Sequence, residues 1–288
     1  MPQYKVMVAQ FPYSDRTHPD ASDWVMRTVI EMREDPRIGP GNVGAWRKSD
    51  TPITMVRNEC LVGAEKAGYD FVLMIDNDVN PDYLVGQDSS AKPFWKSTFD
   101  FALASPKPCI VAAPYVGPPP EENVFAFVFG NKQSDHPNPD FQIGGISRYQ
   151  AARLAGIQPV CALATGLMLI DMRAVVGSPH PRFYYEYGDE TQSLKASTED
   201  VTFTRDAHYR GVPLYCNWDS WCQHFKLKGV GKPQNVPDGC VPDFMLKRAE
   251  QILEERRQAS AENDAVATTA TDSQAVAGVN RLPAFAKV

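Results

Sequence analysis

The stretch Phe71–Asp82, FVLMIDNDVNPD, sets five apolar residues directly before Asp76, Asn77, Asp78, Asn80 and Asp82. A continuous apolar run that follows a helical stop at Lys66-Ala67-Gly68 reads as a strand buried on both faces. The oxygen-rich segment then falls at its carboxyl end. Asp76, Asp78, Asn80 and Asp82 match positions 1, 3, 5 and 7 of a calcium-binding loop, but that loop wants Gly at position 6, Glu at position 12 and a helix in front. Here Pro81, Gln87 and a strand stand in those places. The competing reading is a pair of carboxylates, Asp76 and Asp78, at the mouth of a parallel strand. That is where open α/β sheets bind ligands, and where Mg²⁺ or Mn²⁺ can be shared with phosphate oxygens. Asp and Asn are also ordinary turn formers, so the pattern needs support from elsewhere in the chain.

Working outward, Tyr4–Phe11 alternates like a first strand, and residues 22–33 carry Trp24, Val25, Val29, Ile30 and Met32 on a helical face behind Ser22 or Asp23 as cap. A Gly- and Pro-rich loop follows, then a helix from Ile53 to Ala67 with Met55, Val56, Leu61 and Val62 on one side. Strand, helix, helix, buried strand is the beginning of a parallel α/β sheet. Beyond it the chain reads as a helix over 92–104, a buried strand in CIVAAPYV, an edge or hairpin strand in VFAFVFG and an exposed loop in NKQSDHPNPD. CALATGLMLIDMRAVV is a strand and a helix start broken at Thr165-Gly166. A helix over 200–209 follows, then a last strand in VPLYCNW and a charged helix over 244–258. From residue 259 the Ala, Thr, Ser and Asp run lacks periodicity and large apolar groups. A flexible tail over 259–288 behind one domain, 1–258, is therefore expected.

At 288 residues and 43% hydrophobic content the chain can bury a substantial core. A net charge of −6 argues against a broad nucleic-acid footprint. No apolar run nears the roughly 20 residues of a bilayer span, and the N-terminus has no secretory pattern, so a cytoplasmic protein without membrane contact is expected. The six cysteines are scattered without a CxxC, as reduced packing thiols would be.

Three further segments could supply chemistry. Ser197-Thr-Glu-Asp200 has capping-box spacing, and a carboxylate held at a helix N-terminus can also serve as a general base. His224 follows the last strand and is either a buried aromatic-cluster histidine or an imidazole ligand that completes a Mn²⁺ site. Zinc at Cys216, Cys222 and His224 lacks both the spacing and a fourth ligand. The aromatic residues of RFYYEY (182–187), Trp218 and Trp221 either pack in the core or stack on a ligand. Lys226, Lys228 and Lys232 form a basic run beside His224.

Taken in order, RNECLVGAEKAGYDFVLMIDNDVNPD, ATGLMLIDMRAV, a Phe/Tyr-rich loop and STEDVTFTRDAHYRGVPLYCNWDSWCQHF resemble the GT-A fold nucleotide-sugar glycosyltransferases of the family-2-like kind, over roughly residues 3 to 228. The resemblance implies a single Rossmann-like α/β domain, a mostly parallel central sheet flanked by helices. It also implies a Mn²⁺- or Mg²⁺-dependent hexosyltransferase that moves a sugar from a nucleotide diphosphate, a UDP-sugar first, to an acceptor hydroxyl with inversion. Carried over by position, Asp200 would be the general base, and Asp76, Asp78 and His224 the metal ligands. Pro12, Tyr13, Asp15, Arg57, Asn58, Asp76, Asn77, Thr165, Gly166 and Glu199 would bind the donor. FPYSD replaces the more usual first loop, which leaves the base open. The acceptor also stays open: saccharide, protein, small molecule or a hydroxymethylated DNA base of a virus. Two alternatives share the sheet: a nucleotidyltransferase, which needs a Gly-rich basic loop that FPYSDRTH lacks, and a non-catalytic nucleotide-sugar binding module.

Overall fold

The structure is a computed structural model that describes residues 3–12, 17–49, 52–117, 123–129, 143–188, 195–225 and 229–230. These belong to one compact unit, Met1–Gln234. The expected loop at 131–140, the helix over 244–258, the tail over 259–288, Lys226, Lys228 and Lys232 all lie outside the described residues. So do Tyr13, Ser14 and Asp15 of the first loop.

In chain order the first half comprises β1 (Val6–Phe11), α1 (Pro19–Glu34), β2 (Val43–Arg47), α2 (Ile53–Lys66), β3 (Phe71–Asp76), β4 (Val79–Asn80), α3 (Phe94–Ala104) and β5 (Ile110–Ala112). Next come β6 (Ala126–Phe129), β7 (Ile143–Gly145), α4 (Arg148–Ala151), β8 (Ile157–Pro159), β9 (Ala162–Leu163) and β10 (Leu167–Asp171). The last elements are β11 (Glu186–Tyr187), β12 (Lys195–Ser197), α5 (Glu199–Tyr209), β13 (Leu214–Asn217), β14 (Gln223–Phe225) and β15 (Gly229–Val230).

A seven-stranded sheet in the order β2-β1-β3-β10-β5-β13-β8 forms the centre. Strands β1, β2, β3, β5 and β13 run in one sense; β10 and the edge strand β8 run against them. The expected mostly parallel α/β sheet is therefore present, with one antiparallel strand wedged into its middle. Because β10 is reversed, its amino end meets the carboxyl ends of β3 and β5, which brings the Thr165-Gly166 turn to the same sheet edge as Asp76. The amide of Asp76 donates to Gly166 O at 2.9 Å and locks the two together.

Strand β3 is buried on both faces, as its apolar run requires. Val72 and Met74 join the layer built from α2 and α5, with Val56, Cys60, Leu61, Phe203 and Ala207. Phe71, Leu73 and Ile75 join the layer under α1 and α3, with Trp24, Met32, Phe94 and Phe99. Each such side chain stabilises the fold by about 1.5–3 kcal/mol relative to exposure.

Several local expectations are corrected. Helix α1 starts at Pro19, capped by His18, whose Nδ1 accepts from the Asp20 amide at 3.3 Å; Ser22 and Asp23 lie inside it. Proline fits there because a first-turn residue needs no amide proton. Ile30 and Met55 are exposed rather than core-facing, 54% and 57% respectively. VPLYCNW supplies the last strand of the central sheet but not of the chain: β14 and β15 follow and form a small antiparallel sheet with β4. The five described cysteines are free and buried, as expected. Among the described residues no helix is long and apolar enough to cross a membrane.

The calcium-loop reading fails at Asp82. Its Oδ2 accepts from Trp24 Nε1 at 2.6 Å and its Oδ1 from the Phe94 amide at 2.8 Å, so the carboxylate ties α1 to the start of α3. Asp82 also takes a left-handed backbone, φ 57°, which Asp tolerates better than most residues. Replacing it with alanine removes both bonds to a charged acceptor. Asp82→Ala is expected to lose about 3 kcal/mol of stability in urea unfolding, whereas Ser89→Ala, an exposed change in the same turn region, stays within about 0.5 kcal/mol.

Candidate functional site

The site is assembled at the carboxyl edge of the parallel strands. Strand β1 delivers the buried Pro12, and β3 delivers Asp76, Asn77 and Asp78. The turn before β10 adds Thr165 and Gly166. Helix α5 adds Glu199 and Asp200 from its first turn, and β14 adds His224. Helix α5 is anchored over β9 by the Thr204 hydroxyl, which accepts from the Leu163 amide at 3.2 Å.

Arg57 on α2 joins the parts. Its guanidinium is buried at 3% exposure, donates to Asp76 Oδ1 at 2.7 Å and to Glu199 Oε1 at 2.8 Å, and lies 5.7 and 5.8 Å from the Phe11 and Phe183 ring centres. Burial alone would push a guanidinium to release its proton. Asp76, Glu199 and Asp200 more than offset this, so Arg57 stays charged. The opposite holds for Asp76: burial, with Asp78 and Asp200 adding repulsion, lifts its carboxyl above the ordinary range despite Arg57. Tyr185 hydrogen-bonds Glu199, and burial followed by that carboxylate raises its phenol.

Asp78 and His224 meet where β4 pairs with β14. The Phe225 amide donates to Asp78 O at 2.7 Å, and His224 sits opposite Val79. His224 Nδ1 lies 2.8 Å from Val116 O. A carbonyl can only accept, so Nδ1 carries a proton, which leaves Nε2 as the ring nitrogen that can offer a lone pair. That nitrogen is 3.4 Å from Asp78 Oδ2. Two octahedral ligands at right angles, each about 2.1 Å from Mg²⁺, stand about 3 Å apart, so the pair has the spacing and chemistry of two ligands to one divalent cation. Among the described residues no three His, Cys, Asp or Glu side chains converge on one point. Asp76, expected as a third ligand, gives its Oδ1 to Arg57. Two protein ligands leave the other positions to phosphate oxygens and water, the usual habit of Mg²⁺.

Asp200 occupies the second residue of α5. The cap is Thr198 rather than Ser197, and the Thr198 hydroxyl donates to Asp200 Oδ1 and accepts from no first-turn amide. The Val201 amide reaches the same oxygen at 2.9 Å. The expected capping box is thus absent, and Asp200 is fixed through one of its two oxygens.

The remaining expected residues divide. Thr165 Oγ1 and Arg57 Nε are buried without a hydrogen-bond partner in the structure, two polar atoms at the site that a ligand could satisfy. Gly166 is required by close approach: a β-carbon there would lie 2.5 Å from the Tyr115 ring. Asn77 lends its carbonyl to the His18 amide at 3.0 Å. Asn58 is not a donor contact. Its amide gives to Thr54 O and Phe183 O and accepts from the Arg182 and Phe183 amides, so it clamps the 182–183 loop to α2. Trp218 and Trp221 are core residues, 1% and 2% exposed. Of RFYYEY, Phe183 stacks on Phe203 and Tyr184 bonds Asp206, leaving Tyr185 as the member that reaches the site. Tyr115 was missed, because PYV after an apolar run carries no signal beyond a buried strand.

No family model matches the chain, and no curated protein does. Among solved structures, A197 from STIV aligns over 81% of this chain and 96% of its own at 14% identity and TM-score 0.45. GalNAc-T7, crystallised with UDP, GalNAc and Mn²⁺, aligns over 78% of this chain but 44% of its own, at 11% identity and TM-score 0.40. CMP:2-keto-3-deoxy-manno-octonic acid synthetase complexed with CTP aligns over 89% of this chain and 100% of its own, at 10% identity and TM-score 0.36. The neighbours thus include a glycosyltransferase and a nucleotidyltransferase, all at low identity.

The bridge at Arg57 has a measurable weight. Removing one partner of a buried ion pair strands the others, at about 3–5 kcal/mol. Arg57→Met is expected to lose that much in urea unfolding. Arg57→Met combined with Glu199→Gln is expected to lose less than the sum of the two single changes, because the second removes a stranded charge.

Proposed function

We propose that the chain is a glycosyltransferase that moves a sugar from a nucleoside diphosphate, with a UDP-sugar the first donor to test, to an acceptor hydroxyl. The observation that carries the reading is the Asp78–His224 pair, its imidazole tautomer set by Val116 O, on the same strand edge as Asp200. Asp78 and His224 would hold a Mn²⁺ or Mg²⁺ ion. When bound, the ion would offset the charge on the departing diphosphate.

The chain's own residues then have distinct tasks. Arg57 holds Asp76 and Glu199 and so fixes the carboxyl end of β3 against α5. With Asp76 and Gly166 joined through the backbone, the donor sugar would lie between this turn and α5, where Thr165 Oγ1 lacks a partner. Asp200, held through Oδ1, would accept the proton of the attacking acceptor hydroxyl at Oδ2, and in-line attack would invert the anomeric carbon. Four carboxylates, Asp76, Asp78, Glu199 and Asp200, face one guanidinium in this region, an imbalance that favours a divalent cation alongside an anionic ligand.

Hydrolysis of UDP-sugars tests the reading. Wild type is expected to hydrolyse at least one UDP-sugar with Mn²⁺ and to lose the activity in chelator. Asp78→Ala should lose about 100-fold or more, by analogy with loss of a transition-state electrostatic contact. Asp200→Asn should retain Mn²⁺–UDP binding but fall by about 10²–10⁴-fold in transfer to a true acceptor. A wild-type protein that neither binds nor hydrolyses any nucleotide sugar sinks the proposal, and NMR of the product anomer tests inversion separately.

A further inference from the structure

Resting on that reading, the geometry points to Tyr115 as a further catalytic residue, a phenol that donates a hydrogen bond to an anionic oxygen of the substrate held between the Asp78–His224 pair and Asp200. Tyr115 lies just past the carboxyl end of β5, on the strand edge that carries the site, and the next residue supplies the carbonyl bonded to His224. Its ring is 7% exposed and packs edge-on to His224 at 5.0 Å and against Phe125 at 5.1 Å. On its other side it lies so close to Gly166 that a β-carbon there would meet Cε1 at 2.5 Å and Cζ at 2.8 Å. The ring is therefore caught between an expected metal ligand and the turn that faces the sugar, the two sides of the substrate space.

The need for a donor follows from the inventory around it. A nucleoside diphosphate brings negative charge into a region of four carboxylates. Among the described residues Arg57 has committed both terminal nitrogens to Asp76 and Glu199, Tyr185 serves Glu199, and the unpartnered Arg57 Nε and Thr165 Oγ1 are the donors that Tyr115 would join. The Tyr115 oxygen is within electrostatic reach of Asp200, Asp76 and Asp78. Its Cζ, the carbon that bears the hydroxyl, belongs to the end of the ring set against the Gly166 turn. A phenol is a donor at neutral pH, and a donor beside charge that grows in the transition state is worth most where water is excluded.

Tyr115→Phe is the informative change, since it deletes the hydroxyl and leaves the ring contacts to His224 and Gly166. Three quantities are compared with wild type: the urea midpoint, Mn²⁺ affinity with and without UDP, and kcat and KM for UDP-sugar hydrolysis. The expected result is an unchanged midpoint and unchanged affinity for Mn²⁺ alone, with kcat reduced roughly 10- to 100-fold, the value of a hydrogen bond to a charged group. Wild-type kcat and KM in Tyr115→Phe overturn the role while leaving the glycosyltransferase reading intact. A weakened affinity for Mn²⁺ alone also overturns it, because the hydroxyl would then be serving the metal ligands rather than the substrate. Absence of Mn²⁺–UDP binding and hydrolysis in wild type instead overturns the underlying reading, and this role with it.

Discussion

One buried guanidinium holds this architecture at its working edge. Arg57, on α2, spans the carboxyl end of β3 and the amino end of α5, reaching Asp76, 19 residues away, and Glu199, 142 residues away. Desolvating such a cation is expensive, and two carboxylates in good geometry are what make the arrangement tolerable. Arginine suits the task better than lysine, because its planar fork can point two nitrogens at two different acceptors at once. Phe11 and Phe183 exclude water from the region, which strengthens the bridge and raises the cost of leaving any one member alone.

The sheet order makes the second constraint. With β10 inserted antiparallel between β3 and β5, the Thr165-Gly166 turn is delivered to the edge where parallel strands end, a place that a parallel strand in the same position could not have supplied with its amino end. The Asp76 amide to Gly166 O bond then fixes the spacing between turn and carboxylates, and the Tyr115 ring fixes how small the turn residue must be. Two backbone contacts near His224, Val116 O to its Nδ1 and Phe225 N to Asp78 O, bring the imidazole and Asp78 together without any side chain having to search for the other.

Much of this was legible in the chain. FVLMI announced a strand buried on both faces because no residue in it tolerates water, and the Asp76–Asp78 spacing marked the carboxyl end of that strand. The order of Arg57, Asp76, Asp78, Thr165-Gly166, Glu199-Asp200 and His224 was readable as a set that one sheet edge could gather. What was not legible depended on long-range packing. Asn58 follows Arg57 directly, yet its amide is consumed by the 182–183 loop, 124 and 125 residues away. The tryptophans of NWDSWCQHF looked suited to a ligand but their rings fill the core. Periodicity put Ile30 and Met55 inside, although neighbouring elements do not cover them. Tyr115 had no local signal, since its meaning lies in the ring's contacts with residues 166 and 224.

The division of labour between Asp76 and Asp78 follows from the same physics. Two carboxylates two residues apart at a strand end repel each other, and only one of them can be neutralised by a fixed cation without losing the other as a ligand. Arg57 takes Asp76, which is the more shielded by its bonds to α2 and to the turn. Asp78, one step farther from the sheet, is left beside the His224 lone pair. The uneven arrangement sets one carboxylate in a fixed bridge and the other beside an imidazole whose Nδ1 is held by the backbone.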